Sequence, residues 1–213
     1  MHEYQRDFID FALRHEVLQF GQFELKSGRI SPYFFNTGLF NSGTALSRLG
    51  EFYARAIIES GIEFDQIFGP AYKGISLGAT IAISFGNSFG RDIPFTFNRK
   101  ELKDHGEGGN TFGAPLAGRV LIVDDVISAG TSVGESVKII SDGNAEASGV
   151  MISLDRQERG RDNLSAVDDV RHRYEIPVHS IVTLVNIVEY LENESRFSAE
   201  INAIRHYRSR YGA

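Results

Sequence analysis

The chain has 213 residues, of which 42% are hydrophobic, with a formal net charge of −6 and no cysteine. This length and hydrophobic content suffice for one well-buried domain, and the acidic balance argues against nucleic acid as a partner. The lack of cysteine excludes disulfides, thiolate catalysis and cysteine-ligated zinc.

The first predicted element is an amphipathic helix over residues 1–12, with Tyr4, Phe8 and Phe11 on one face. This segment lacks the apolar region of a signal peptide, and no stretch approaches the roughly 20 apolar residues of a membrane helix. We therefore expect a soluble, cytoplasmic protein. Residues 21–41 are dense in glycine, serine, proline and aromatics, which predicts loops and short strands.

From residue 44 onward the pattern alternates between helices and strands. The predicted helices are residues 44–59, 74–85, 132–141, 188–191 and 198–208. The predicted strands are residues 64–68, 94–97, 119–123, 150–154 and 179–184. This alternation predicts an α/β fold with a mostly parallel central sheet flanked by helices, as one domain over residues 1–213.

The most informative segment is residues 120–132. Residues 120–123 are an unbroken apolar run, typical of a strand buried on both faces. Asp124 and Asp125 follow where that strand ends, and paired carboxylates suit a diol. Residues 128–132 can turn backbone N–H groups toward an anion at the start of the next helix. The segment therefore indicates a sugar-phosphate site.

An alternative interpretation of this segment is a buried strand followed by an N-capped helix, with Ser132 and Glu135 spaced as a capping box. A cap alone does not call for two adjacent carboxylates and a hydroxyl-rich turn. Because a capping hydroxyl is less free to bind phosphate, Ser128 and Thr131 are better phosphate ligands than Ser132.

Polar clusters follow three other predicted strands, at residues 70–74, 98–100 and 155–156. Ligands in open α/β folds bind beyond the carboxyl ends of the strands, so these clusters and the acid pair are expected to share one crevice. Neither the P-loop nor the dinucleotide pattern of glycines occurs, which argues against ATP and NAD.

Residues 120–132 resemble the signature of the phosphoribosyltransferases that use 5-phosphoribosyl-1-pyrophosphate (PRPP). In that family the acid pair holds the ribose hydroxyls and the loop holds the 5′-phosphate. The resemblance implies PRPP contacts from Asp124, Asp125, Val126, Ile127, Ser128, Ala129, Gly130, Thr131 and Ser132. Ser128 stands where threonine is expected, but it keeps the hydroxyl.

The turn at residues 69–74 offers a lysine and a helix start, which suit a pyrophosphate. The resemblance implies pyrophosphate contacts from Tyr72 and Lys73 and a cis peptide bond that does not precede proline. The alternative is an ordinary strand-to-helix turn with a solvated lysine.

Residues 97–109 combine three cations and a histidine with closing glycines, which predicts a mobile lid over about residues 98–112. The segment is similar to the catalytic loop of orotate phosphoribosyltransferases. The resemblance implies that Arg99, Lys100, Lys103 and His105 bind PRPP, and that Lys103 acts with Asp124 and Asp125 in catalysis. It also implies a homodimer in which the loop reaches the neighbouring site. The alternative is a solvated charge run.

Two further segments concern the nucleobase. Residues 25–36 resemble the N-terminal hood of the same family, formed mainly by about residues 1–40, where Phe34 and Phe35 line the orotate pocket. Lys26 there lies at the reacting end, in contact with both substrates, and Ser128 also contacts orotate. The alternative for the aromatic residues is packing between hood and core.

Arg156 follows a predicted strand and offers a guanidinium fork to a substrate carboxylate. The alternative is a pair with Asp155 or a nearby glutamate.

The resemblance implies that the chain transfers the ribose 5-phosphate group of PRPP to orotate in pyrimidine synthesis. Mg²⁺ is expected to enter with PRPP, held by substrate oxygens and water without a dedicated protein site. Two other functions remain open, namely transfer to another base and PRPP sensing without turnover. Arg156 and the lid sequence argue against the first, and the acidic single domain against the second.

Overall fold

A computed structural model describes residues 1–25, 27–100, 110–160 and 164–213. The helices are α1 (Glu3–Arg14), α2 (Gly43–Ser60), α3 (Lys73–Phe89), α4 (Thr131–Asp142), α5 (Ala166–Tyr174), α6 (Leu184–Glu192) and α7 (Ser198–Tyr211). The strands are β1 (Leu18–Glu24), β2 (Ile30–Phe35), β3 (Gln66–Gly69), β4 (Phe95–Asn98), β5 (Thr111–Gly113), β6 (Arg119–Asp124), β7 (Glu146–Asp155) and β8 (Val178–Thr183). A 3₁₀ turn, Thr37–Leu39, connects β2 to α2, and another, Ser195–Phe197, precedes α7.

The central sheet has the strand order β5-β4-β3-β6-β7-β8. All its neighbouring strands run parallel except β5, which pairs antiparallel with β4 at one edge. β1 and β2 form a separate antiparallel hairpin. The predicted α/β fold with a mostly parallel sheet is confirmed.

The apolar run of β6 is explained by helices on both faces of the sheet. Leu121 and Val123 belong to a buried cluster that also contains residues of α1, α2 and α3. Val120 and Ile122 belong to a second cluster, which is completed by α4 and α5. Since successive side chains of a strand point to opposite faces, each of the residues 120–123 must be apolar.

Aromatic side chains join the N-terminal segment to the sheet domain. Phe8 of α1 packs edge-on against Phe52 of α2 at 5.3 Å between ring centroids. Phe11 stacks on Phe40 at 4.7 Å. Gln5 also donates through Nε2 to the carbonyl oxygen of Ile181 at 2.8 Å, which satisfies one acceptor on edge strand β8.

The sequence did not predict α5 or β5. Only Val167 and Val170 of α5 are buried, and two apolar positions are too few for a clear helical period. β5 is three residues long and has no buried residue. β7 begins at Glu146 instead of residue 150, and α3 continues to Phe89 instead of residue 85. No helix among the described residues is both long and apolar enough to span a membrane.

Candidate active site

The carboxyl ends of four strands lie side by side, because β4, β3, β6 and β7 are neighbours in the sheet. The four polar clusters of the sequence follow these ends or form them. They therefore meet at one edge, the edge at which open α/β folds bind ligands.

Close backbone packing shapes the turn between β3 and α3. A Cβ atom on Gly69 would lie 2.0 Å from the carbonyl oxygen of Gly74, so a side chain there would displace the turn. The peptide bond between Ala71 and Tyr72 is cis, as the family resemblance implies. Tyr72 is the N-cap of α3, and its side chain makes no capping hydrogen bond. The backbone N–H of Ile75 donates to the carbonyl oxygen of Tyr72 at 3.2 Å, so the N–H groups of Lys73 and Gly74 are the ones available to an anion.

The Asp125 carboxylate is held from three directions and is only 7% exposed. Its Oδ1 accepts from the backbone N–H of Val126 at 2.9 Å. Its Oδ2 accepts from the hydroxyl of Thr37 at 3.1 Å and forms an ion pair with the Lys73 ammonium group. Segments before α2, at the start of α3 and after β6 are thereby tied to one carboxylate.

The Asp124 carboxylate is held by residues that follow it closely in the sequence. Its Oδ1 accepts from the backbone N–H of Asp125 at 2.8 Å, and its Oδ2 accepts from Ser132 Oγ at 3.1 Å. Burial and, after it, the neighbouring charge of Asp125 raise the pKa of the Asp124 carboxyl to about 6. The pair therefore contains one carboxyl that takes up a proton near neutral pH.

Hydroxyl groups beneath the acid pair fix its backbone. The fully buried Tyr53 donates its hydroxyl to the Asp124 carbonyl oxygen at 2.7 Å. Ser153 Oγ of β7 lies 2.6 Å from the same hydroxyl, and the backbone N–H of Ser153 donates to the Asp125 carbonyl oxygen at 2.9 Å. Burial raises the pKa of Tyr53 well above its usual value, so it stays protonated as a donor.

The loop after the acid pair ends at the N-terminus of α4. Its N-cap is Gly130, with a φ of 70° that favours glycine, and no side chain caps the helix. The alternative capping box of Ser132 and Glu135 is therefore not formed, because Ser132 Oγ bonds to Asp124 instead. Ser128 and Thr131 are exposed. The first N–H groups of α4 are available to a phosphate.

Two cations precede the part of the predicted lid that lies outside the described residues. The Arg99 guanidinium stacks on the ring of Phe112, 3.5 Å from its centroid. The Lys100 ammonium lies 4.9 Å from the ring centroid of Tyr72, which is 69% exposed. Lys100 thus lies beside the turn after β3. The predicted site residues Lys26, Lys103 and His105 lie outside the described residues.

Arg156 bridges the end of β7 and the N-terminal hairpin. It pairs with Glu158 at 2.7 Å between Nη2 and Oε1, and its Nη2 donates to Ser31 Oγ at 3.2 Å. Its guanidinium also lies 4.3 Å from the ring centroid of Tyr33. The alternative pairing with a glutamate is therefore present. It holds Arg156 in one position without using every guanidinium donor.

Comparison with known proteins agrees with this geometry. The model of the phosphoribosyl transferase domain matches residues 40–184. Orotate phosphoribosyltransferases from Thiobacillus denitrificans and Yersinia enterocolitica are 58% and 56% identical over 212 residues, covering 100% of each chain. The crystal structure of orotate phosphoribosyltransferase from Francisella tularensis is 42% identical, with a TM-score of 0.88 over 97% of this chain and 100% of that one.

The chain belongs to the orotate phosphoribosyltransferase family.

In this member of the orotate phosphoribosyltransferase family, the two aromatic residues predicted for the hood pocket, Phe34 and Phe35, lie on opposite faces of β2. β2 alternates between faces, so Phe35 is 8% exposed and packs near Phe8, whereas Phe34 is 37% exposed and stacks on Phe23. The structure therefore does not bring the two side chains to one surface. Phe35 packs between hood and core, which was the alternative interpretation of these aromatic residues. The Phe34 side chain is open to a ligand.

Several polar residues of the candidate site were not singled out from the sequence. They are Ser31, Tyr33, Thr37, Tyr53, Ser153 and Glu158. Tyr53 lies within the helix predicted over residues 44–59, and its hydroxyl left no sequence signal. Glu158 follows Arg156 by two residues, and this spacing was the one available clue to their pairing.

Proposed function

We propose that the chain transfers the 5-phosphoribosyl group of PRPP to orotate, giving orotidine 5′-monophosphate and pyrophosphate in the synthesis of UMP. The observation that carries this proposal is the acid pair at the end of β6, followed directly by the uncapped N-terminus of α4. This arrangement suits a ribose 5-phosphate. Orotate as the acceptor is supported by two relatives that are named orotate phosphoribosyltransferase and are 56% and 58% identical to this chain.

The acid pair orients the ribose. Asp124 and Asp125 accept hydrogen bonds from its hydroxyls, while the N–H groups of residues 126–132 and the Ser128 and Thr131 hydroxyls hold the 5′-phosphate. Displacement at the anomeric carbon develops oxocarbenium character, which nearby carboxylates favour. The acid pair holds the sugar and is not a nucleophile. Orotate attacks through its own ring nitrogen.

Cations and helix N–H groups receive the leaving pyrophosphate. Lys73, Tyr72 and the start of α3 supply one side, and Arg99 and Lys100 supply another. Lys26, Lys103 and His105 complete this set by family resemblance, with Lys103 contributing most to the rate. Neutralising the leaving group lowers the barrier to its departure.

Arg156 binds the orotate carboxylate through the donors that Glu158 and Ser31 leave free. Phe34, Ser128 and Lys26 form the remainder of the proposed orotate site, and Phe35 supports Phe34 from the buried face of β2. A carboxylate on the base distinguishes orotate from uracil and from purines. Arg156 is therefore the residue that selects the acceptor.

Mg²⁺ is the proposed cofactor. The described residues contain no cluster of three histidine or acidic side chains suited to a metal. The carboxylate oxygens of Asp124 and Asp125 fit a hard cation whose remaining ligands come from PRPP and water. When bound, such a cation neutralises charge on PRPP.

A homodimer is the proposed assembly, with the lid of one protomer reaching the site of the other. α3 supports it, because no charged residue occurs between Gly74 and Gly90 and Ile83 of this helix is 62% exposed. Residues 1–213 are proposed to form one domain whose hood is about residues 1–40. We also propose a cytoplasmic location, in keeping with the small polar substrates.

An acceptor panel tests the function. Purified protein is mixed with PRPP, Mg²⁺ and one base, and loss of orotate absorbance is compared with turnover of uracil and hypoxanthine. We expect turnover of orotate alone, abolished by EDTA and restored by excess Mg²⁺. Turnover of another base would overturn the acceptor assignment. PRPP binding without turnover of any base would identify a PRPP sensor instead.

A further inference from the structure

Asn98 occupies the junction between the turn after β3 and the segment that begins the predicted lid. It is the last residue of β4 and is 9% exposed. Its Oδ1 accepts from the backbone N–H of Ala71 at 2.8 Å, and its Nδ2 donates to the carbonyl oxygen of Arg99 at 3.3 Å. One buried amide thus bonds to both segments.

We propose that Asn98 is a positioning residue for pyrophosphate, which fixes the turn of Tyr72 and Lys73 relative to Arg99 and Lys100. The inference rests on the proposed function, because it assigns a role at the same leaving-group site. Asn98 acts through the backbone of its neighbours, and we assign it no contact with the substrate.

The bond to Ala71 controls which donors of the turn face an anion. Asn98 occupies the N–H group of Ala71, one residue before the N-cap of α3. The donors left for a phosphate are then the backbone N–H groups of Lys73 and Gly74, because that of Ile75 bonds to Tyr72, together with the Lys73 side chain. A turn without this bond would be free to rotate, and its donors would lose their common direction.

The second segment is fixed independently on its far side. The backbone N–H of Arg99 donates to the carbonyl oxygen of Asn110 at 2.9 Å, and its guanidinium lies on Phe112. The Lys100 ammonium group meets the Tyr72 ring. The two segments are therefore joined at two points, the Asn98 amide and the Lys100–Tyr72 contact. Small displacements of such groups reduce transition-state stabilisation steeply.

An asparagine fits this position for a chemical reason. The position needs an acceptor for one backbone N–H and a donor for one carbonyl, and a side-chain amide supplies both. Leucine matches its shape but supplies neither. Aspartate keeps the acceptor, loses the donor and adds a negative charge beside the site of an anion.

Asn98→Leu and Asn98→Asp test the inference through separate KM and kcat values for PRPP and orotate, and through product inhibition by pyrophosphate. In Asn98→Leu, loss of the two hydrogen bonds is expected to raise the KM for PRPP about tenfold and to weaken pyrophosphate inhibition to a similar extent. The KM for orotate should stay within about twofold, since Arg156 lies on another strand.

Gln66→Leu is the matched control. Gln66 is also a buried amide, 2% exposed, but it bonds to Thr96 and Ala114 and lies at the opposite end of β3. Its replacement should lower the melting temperature without changing the KM for PRPP. The aspartate variant decides the question if the leucine variant does not fold.

The inference is overturned if a folded Asn98 variant keeps the wild-type KM for PRPP, or if both substrates lose affinity equally. Wild-type turnover of orotate is measured in the same series. Its absence would count against the proposed function itself, and a wild-type KM in the variants counts against Asn98 alone.

Discussion

The Lys73 ammonium group forms an ion pair with the Asp125 carboxylate, which joins the turn after β3 to the acid pair after β6. The Lys73 side chain is 51% exposed, whereas that of Asp125 is 9% exposed. The cation assigned to pyrophosphate and the carboxylate assigned to ribose are therefore in contact. Recognition of the two parts of PRPP is expected to depend on both residues.

Lys73→Met removes this cation and keeps most of the apolar stem. The KM for PRPP is expected to rise about 10- to 100-fold, because a hydrogen-bonded charge is lost and Asp125 keeps only Thr37 and Val126 as partners. Steady-state kinetics measure the effect. The control is Lys138→Met on α4, whose exposed pair with Asp142 contributes little. Equal kinetics in both variants would contradict the role of Lys73.

The raised pKa of Asp124 predicts a pH limit on activity. With a pKa of about 6, the carboxyl is protonated in more acid solution, where it accepts from a ribose hydroxyl more weakly and no longer supplies the negative charge that favours an oxocarbenium ion. We expect kcat/KM for PRPP to fall about tenfold per pH unit below that value. Asp124→Asn should be slow at every pH and lack this step. A wild-type profile that is flat from pH 5 to 7 would exclude the mechanism.

The same pKa predicts that Asp124 weakens the fold at neutral pH. The folded-state pKa of about 6 lies above the usual value of 3.8 for an aspartate carboxyl, so the folded chain binds more protons between these values. The free energy of unfolding therefore falls as pH rises through this window, by about 2–3 kcal/mol in total.

Asp124→Asn removes this charge, so it is expected to melt about 5 °C above the wild type at pH 8. Near pH 3, where Asp124 is neutral, the two proteins should melt together. Calorimetry at both pH values measures the difference. If the variant is stabilised by the same amount at pH 3 and at pH 8, the charge of Asp124 is not the cause of the stabilisation.

Arg156→Gln tests acceptor recognition. Loss of the guanidinium is expected to raise the KM for orotate about 100-fold, while the KM for PRPP changes little, because a paired carboxylate contact is removed from one substrate only. Arg173→Gln on α5, where the arginine forms an exposed pair with Asp169, serves as the control. A rise confined to the KM for PRPP would show that Arg156 binds PRPP and not orotate.

The convergence of the polar clusters at one edge of the sheet could be predicted, because ligands of open α/β folds bind beyond the carboxyl ends of strands and a buried strand has a local sequence pattern. Residues 120–123 required a strand with two buried faces, which fixed where Asp124 and Asp125 emerge. The same reasoning located Lys73 and Arg156. These residues follow apolar strands whose direction in a parallel sheet is shared, so their convergence could be predicted.

The supporting contacts could not be predicted, because they join residues far apart in sequence. Thr37 and Asp125 are separated by 88 positions and Tyr53 and Asp124 by 71. No periodicity encodes which hydroxyl meets which carboxylate. For Arg156 the sequence left a substrate role and an ion pair open, and the pair with Glu158 is compatible with both.

The central claim is that the acid pair and its neighbouring strand ends form one transfer site for PRPP and orotate. The most direct measurement is the rate of orotidine 5′-monophosphate formation by the wild type and by the Asp124→Asn/Asp125→Asn double variant, with Mg²⁺ and both substrates saturating. We predict turnover on the order of 1–1,000 per second for the wild type and a loss of at least about a hundredfold in the folded double variant. A wild type that forms no product, or a double variant with the wild-type rate, would contradict the claim.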